Sequence, residues 1–197
     1  MKLVFASGNP GKIREAQEIL GDGVEIVPAA SLGITEDIPE TGSTLKENSL
    51  QKAQYIYKKT GLDCFADDSG LEVDLLGGAP GVETARYAGP DKNPEKNIVK
   101  LLHEMEIRGG EPRTARFRTC VTLVLNGEPH FFEGVMEGRI TYEKAGRGGF
   151  GYDPVFIPDG YDKTNAELPE SLKNAISHRG KALRAMEEIL RSAQNDN

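Results

Sequence analysis

Four groups of residues in this chain have the types and spacing that chemistry needs. The first is Ser7-Gly8-Asn9-Pro10-Gly11-Lys12, which follows a short apolar run and opens a helical pattern. At such a junction backbone N–H groups point toward the loop and the helix dipole favours an anion. Lys12 adds a positive charge, so phosphate is the natural ligand. The loop is not a Walker A motif, because Ala6 stands where the first glycine belongs and Ile13 where the metal-binding hydroxyl belongs. A strand–turn–helix junction with no ligand is the competing reading. The second group is Asp67-Asp68-Ser69-Gly70, at the end of the apolar run Leu62–Ala66. Successive strand residues project to opposite sides, so one of the two acids faces a given cleft. There it could hold Mg²⁺ or orient a water, although a plain acidic turn has the same composition. Glu40, in the loop PETG at 39–42, is a candidate second carboxylate for the same metal.

The third group is Phe150-Gly151-Tyr152-Asp153-Pro154, preceded by Gly148-Gly149. An aromatic residue flanked by glycines on a loop can stack on a planar ring, with Asp153 beside it to accept hydrogen bonds from ring N–H groups. A glycine turn anchored to the core by its aromatic residue is the alternative. The fourth group is Lys173 with Ser177-His178-Arg179, a set of donors at a helix start, where Ser177 also suits an N-cap.

The elements that must position these residues are readable from periodicity. Lys2–Ala6 reads as a buried strand, and Asn9 followed by Pro10 starts a helix that buries Ile13, Ala16, Ile19 and Leu20 before stopping at Gly21. Val24–Val27 is a second strand and residues 31–44 a polar loop. Thr44 with Glu47 forms a capping box for a helix that turns Leu50, Ala53 and Ile56 or Tyr57 inward and ends at Gly61. Asn93-Pro94 opens a third helix with Ile98, Leu101, Leu102 and Met105 on its apolar face. After Gly109-Gly110 the period changes to two. Asn126-Gly127 then predicts a tight hairpin whose return strand is Glu128–Ile140. Val155–Ile157 is another short strand, and a final helix starts near Ser177 and runs along Ala182, Leu183, Met186, Ile189 and Leu190. Residues 192–197 read as a frayed tail. The expected fold is α/β, with a mixed, elongated central sheet flanked by helices and a long antiparallel hairpin, in a single domain over residues 1–197.

Composition excludes several classes. With 197 residues the chain can bury a core without staples. No apolar run approaches the roughly 20 residues of a membrane span, and the first residues are too short an apolar stretch for a signal peptide. Lys+Arg is 24 against 31 Asp+Glu, a net charge of −7, which makes duplex nucleic acid an unsuitable partner. Cys64 and Cys120 lie in apolar stretches at no paired spacing, which fits reduced core thiols and a cytoplasmic protein, with a disulfide as the minor alternative.

Taken together, SGNPGK at 7–12, PETG at 39–42, ADDSGLEVDLLGGAPGVETARYAG at 66–89, GGFGYDP at 148–154 and SHRGKAL at 177–183 resemble a known family. It comprises the noncanonical purine nucleoside triphosphate pyrophosphatases, also called inosine triphosphatase or Ham1-like proteins. The resemblance runs through nearly the whole chain, and its weight lies in five blocks occurring in order. It implies a Mg²⁺-dependent enzyme that hydrolyses ITP, dITP and XTP to the monophosphate and pyrophosphate, and a homodimer. By resemblance, Ser7 through Lys12 form the triphosphate loop. Glu40 and Asp68 are the metal-associated carboxylates, with Asp68 also the base that activates water. Ser69 is a substrate contact. Phe150, Gly151, Tyr152 and Asp153 form the base-binding segment, and Lys173, His178 and Arg179 donate to the 6-oxo group. Thr84, in VETARY, departs from the serine usual at that place but keeps the hydroxyl. Two other readings share parts of this pattern: a related pyrophosphatase with pyrimidine or modified-base preference, and a nucleotide-binding regulatory protein without turnover. The resemblance carries the expectation that the five stretches converge around one substrate.

Overall fold

The computed structural model describes residues 1–195. In chain order the elements are β1 (Lys2–Phe5), α1 (Pro10–Leu20), β2 (Glu25–Pro28), α2 (Leu45–Thr60), β3 (Cys64–Val73), α3 (Pro94–Ile107), β4 (Thr114–Leu125), β5 (Glu128–Ile140), β6 (Phe156–Pro158), α4 (Glu170–Ile176) and α5 (His178–Asn195), with short 3₁₀ turns between them. The strands form one six-stranded sheet in the order β2-β1-β3-β4-β5-β6. β1 runs parallel to both neighbours, Val4 lying opposite Val27 and Cys64, whereas β5 and β6 are antiparallel. The sheet is therefore mixed, as the sequence pattern predicts. Leu3, Val4 and Phe5 are all buried, as a parallel strand covered on both faces requires.

Local chemistry explains the boundaries. The Asn9 side-chain oxygen accepts the N–H groups of Gly11 and Lys12 at 2.9 and 3.3 Å, Pro10 opens α1, and Gly21 ends it with φ +69°. The Thr44 hydroxyl accepts the Glu47 N–H at 3.1 Å. The Glu47 carboxylate then reaches back to the Ser43 N–H at 2.7 Å, one residue earlier than in a reciprocal capping box. Asn126 and Gly127 have φ of +51° and +84°, the hairpin turn that links β4 to its neighbour β5.

Three expectations are corrected, and one helix is added. Asp67 and Asp68 do not terminate a strand, because β3 runs on to Val73, and cations beside both acids let them stay inside it. The inward face of α2 is Leu45, Asn48, Ser49, Ala53 and Ile56, with Leu50 only half-buried. A purely apolar reading misplaces that face, since Ser49 is buried in a hydroxyl pair with Thr122 at 2.7 Å. The separate helix α4 precedes α5, with Ser177 extended between them. Finally, α5 continues through Ser192 to Asn195, and Gln194 donates to the Gly23 carbonyl at 3.3 Å. The remainder of the expected tail, 196 and 197, lies outside the described residues.

The chain divides into two compact units. The first comprises residues 1–68, 119–134 and the chain from 178 onward; the second comprises 69–118 and 135–177. The first unit contains two apolar clusters. One is built on Leu3, Phe5, Phe65, Leu183 and Met186, with Phe5 and Phe65 stacked at 4.3 Å, and the other on Val4, Ala53, Ile56, Ala66 and Val124. The second unit packs around Leu71, Leu101, Met105, Phe117, Tyr152 and Phe156. Cys64 and Cys120 are buried, and neither is in a disulfide. Among the described residues no helix is long and apolar enough to cross a membrane.

Candidate active site

Within the first unit, β3 brings its two acids into different ionic surroundings, as alternation along a strand dictates. Asp67 is 2% exposed. Its Oδ2 accepts from Lys12 Nζ at 3.0 Å and from Arg179 Nε at 3.2 Å. Arg179 also donates from Nη1 to Glu15 on α1 at 2.9 Å. Burial alone pushes the Asp67 carboxyl up, but Lys12, Arg179 and Lys52 outweigh it and hold the group well below the usual carboxylate range. Burial likewise opposes the Arg179 charge, and Asp67 and Glu15 reverse that and raise its pKa. Lys12 and Arg179 with Asp67 and Glu15 thus form a set of two cations and two anions.

Asp68 has other partners. The Lys52 ammonium, on α2, lies 2.8 Å from Glu40 Oε1, 2.5 Å from the Asp67 carbonyl and 3.8 Å from Asp68 Oδ1. Asp68 Oδ2 is buried without a hydrogen-bond partner. Burial pushes the Asp68 carboxyl up to about 6. Lys52 and a hydrogen bond from Asn48 pull it down, and the charges of Glu40 and Asp67 push it up. Burial works against the Lys52 ammonium, yet Asp67, Asp68 and Glu40 together raise its pKa. An orphaned carboxylate oxygen near a second carboxylate is a donor set that fits a hard divalent cation. Among the described residues no group of three His, Cys, Asp or Glu side chains converges for a metal. A cation held by Glu40 and Asp68 would therefore leave positions for water and phosphate oxygens.

The loop before α1 differs from expectation in one respect. Two of the N–H groups that an anion would use, those of Gly11 and Lys12, are already held by Asn9, and the Asn9 N–H is 3.2 Å from Ser7 Oγ. Gly8 faces open space, and Gly8 through Gly11 are exposed. The loop is thus preformed by its own cap. Lys12, turned to Asp67, is its charged member.

The second unit holds the glycine-rich segment. Asp153 is 6% exposed, and its Oδ2 accepts from the Phe150 N–H and contacts Lys173 Nζ, both at 2.7 Å. Its Oδ1 accepts from Asn165 Nδ2 at 3.3 Å. Gly149, at φ +76°, permits this turn, since a Cβ there would fall 2.5 Å from Asp153 Oδ2. Tyr152 is buried in the core and donates to the Thr84 carbonyl at 2.7 Å. Phe150, at 75% exposure, offers an open ring face, and Gly151 is half-buried beside it. The Thr84 hydroxyl receives the Leu71 N–H at 2.9 Å and donates to the Gly81 carbonyl, so it ties the start of this unit together. Ser69, next after Asp68 on β3, is half-buried.

The structure therefore brings Lys12, Glu40, Asp68 and Arg179 together with Asp67, Lys52 and Glu15 in the first unit, and Phe150, Asp153 and Lys173 together in the second. His178 opens α5 in the first unit beside Arg179. Gly134 lets that first turn approach closely, because a Cβ there would fall 1.9 Å from the His178 carbonyl oxygen. Sequence reasoning missed Lys52, Asn48, Glu15 and Asn165. Asn48 and Lys52 carried a signal, since they lie four apart on α2. Asn48 also accepts the Gly42 N–H at 2.7 Å, which fixes the loop that carries Glu40.

Comparison with known proteins gives the family and the fold. The model of the Ham1 family matches residues 3–189. A dITP/XTP pyrophosphatase of Flavobacterium johnsoniae is 49% identical over 190 residues, covering 96% of this chain and 98% of the relative. One from Porphyromonas gingivalis is 49% identical over 193 residues, covering 98% and 99%. Among solved structures, a HAM1 protein from Coxiella burnetii superposes with a TM-score of 0.93 at 41% identity, covering 98% of this chain and 99% of that one. The Ham1 protein of Staphylococcus aureus gives a TM-score of 0.91 at 37% identity, covering 98% and 100%. With the family model, the relatives and the fold in agreement over nearly its full length, the chain belongs to the Ham1 family.

Proposed function

We propose that this protein is a Mg²⁺-dependent hydrolase of nucleoside triphosphates. It cleaves ITP, dITP and XTP to the monophosphate and pyrophosphate, and so clears deaminated purines from the nucleotide pool. The observation that carries this reading is Asp68, a half-buried carboxylate pushed up to about 6 with one buried, unpartnered oxygen, beside Glu40 and Lys52. The names of its relatives, dITP/XTP pyrophosphatases, support the substrate class. Glu40 and Asp68 would hold Mg²⁺, which would offset the charge of the oligophosphate and polarise the attacked phosphoryl group. Asp68 accepts the proton of the attacking water or orients it, a role suited to a carboxyl titrating near 6. Ser7 through Lys12 hold the phosphates, and Lys12 stabilises the leaving pyrophosphate. Ser69 contacts the substrate.

At the other end of the nucleotide, Phe150 stacks on the purine, with Gly151, Tyr152 and Asp153 shaping that segment, and Lys173, His178 and Arg179 donate to the 6-oxo oxygen. Adenine carries an amino donor at that position. Donor would then face donor, and a site built around a hydrogen bond to substrate can discriminate by about 10⁴-fold or more. The working protein is a cytoplasmic homodimer that needs no nucleic acid partner. Incubation with ITP, XTP, dITP, ATP, GTP and dUTP in Mg²⁺ tests the reading. Pyrophosphate from ITP and XTP, with little turnover of ATP, is expected; orthophosphate as the first product would overturn it.

A further inference from the structure

The Lys52 ammonium sits in an all-oxygen surround: a Glu40 carboxylate oxygen at 2.8 Å, the Asp67 main-chain carbonyl at 2.5 Å and an Asp68 carboxylate oxygen at 3.8 Å. Carboxylates plus a backbone carbonyl are what a hard cation takes as ligands. The Lys52 side chain is 11% exposed, and burying its charge is unfavourable unless anions surround it. Two of those anions, Glu40 and Asp68, are the carboxylates assigned above to the divalent ion. The Asp67 carboxylate, itself engaged by Lys12 and Arg179, adds its charge to that surround.

We propose that Lys52 is an internal counter-ion. In the nucleotide-free protein its ammonium satisfies the Glu40 and Asp68 carboxylates, so it competes with divalent metal for them and keeps metal affinity low until a triphosphate brings further charge. Metal binding is thereby tied to nucleotide binding, and Lys52 is a positioning residue for the metal carboxylates. A full positive charge beside these oxygens repels a divalent ion over a distance at which charges in a partly buried site interact strongly. Its removal therefore raises metal affinity on the order of tenfold or more. This inference rests on the assignment of Glu40 and Asp68 to the metal.

The test is direct binding of Mn²⁺ to nucleotide-free protein, with free ion followed by electron paramagnetic resonance, in wild type, Lys52→Met and Lys52→Arg. Lys52→Met should bind Mn²⁺ at least about tenfold tighter than wild type, whereas Lys52→Arg, which keeps the charge, should stay within about threefold of it. Equal or weaker binding by Lys52→Met overturns the inference. If Lys52→Met is unfolded without metal by circular dichroism, recovery of the folded signal on adding Mn²⁺ supports the counter-ion role, and failure to recover at millimolar Mn²⁺ overturns it. Pyrophosphate release from ITP by the wild type is measured in parallel. Loss of that activity counts against the proposed function, while unchanged Mn²⁺ affinity in an otherwise active protein counts against Lys52 alone.

Discussion

Replacing Asp68 with asparagine should inactivate the protein and stabilise it at the same time. The Asp68 carboxyl is raised from 3.8 to about 6, first by burial and then by the charges of Glu40 and Asp67, against Lys52 and Asn48. Keeping it ionised at pH 7.5 thus costs the folded state up to about 3 kcal/mol relative to the unfolded chain. The sign follows from proton binding. Between these two pKa values the folded protein holds the proton more tightly, so the wild type loses stability as pH rises through that window. The loss is complete above it and absent well below 3.8. Asparagine has the same shape and no charge. Allowing for lost contact with Lys52, Asp68→Asn should gain about 1–3 kcal/mol at pH 7.5, or several degrees in melting temperature for a chain of this size. The gain should vanish near pH 3.5. Pyrophosphate release should fall by about 10²–10⁴-fold. Melting curves in chelator at both pH values, with ITP turnover on the same samples, test both halves. A variant that melts at or below the wild-type temperature at pH 7.5 would refute the electrostatic reasoning, and one near full rate would refute the base assignment.

Three further outcomes follow from the same geometry. The wild-type kcat/KM for ITP should decline about tenfold per pH unit below about 6, as Asp68 takes up its proton, and a profile flat down to pH 5 contradicts this. Asp67→Asn leaves the cations Lys12 and Arg179 facing each other with only Glu15 between them and should cost about 3 kcal/mol or more in urea unfolding; an unchanged midpoint would show that Asp67 does not hold the pair. Phe150→Ala removes a ring that is 75% exposed, so stability should change by less than about 0.5 kcal/mol while KM for ITP rises roughly 5- to 100-fold through lost stacking, and an unaltered KM would remove Phe150 from base binding.

Much of this arrangement was legible in the chain itself, for identifiable reasons. Asn9-Pro10, Thr44 and Asn126-Gly127 act through local backbone chemistry, so their caps and turn appear where the residues stand. Glu40 and Asp68 are short acidic residues in distinctive loop and strand contexts, and Phe150 is marked by its glycines. What the sequence concealed depends on partners distant in the chain. The extent of β3 was hidden because two adjacent acids look like a strand end until Lys12, Lys52 and Arg179 compensate them. Lys52 reads as an ordinary surface residue of an amphipathic helix, and only the fold shows it among Glu40, Asp67 and Asp68. The inward turn of the Asp153 carboxylate was equally unreadable, since it depends on Lys173 and Asn165, 20 and 12 positions away.

The central claim is that water attacks the α-phosphorus with Asp68 as its base. Hydrolysis of ITP in oxygen-18 water, followed by mass spectrometry of both products, tests it most directly. The label should appear in the inosine monophosphate, with the pyrophosphate unlabelled, and the reaction should nearly stop in Asp68→Asn. Label in pyrophosphate or in orthophosphate would contradict it, because the attack would then fall on a different phosphorus.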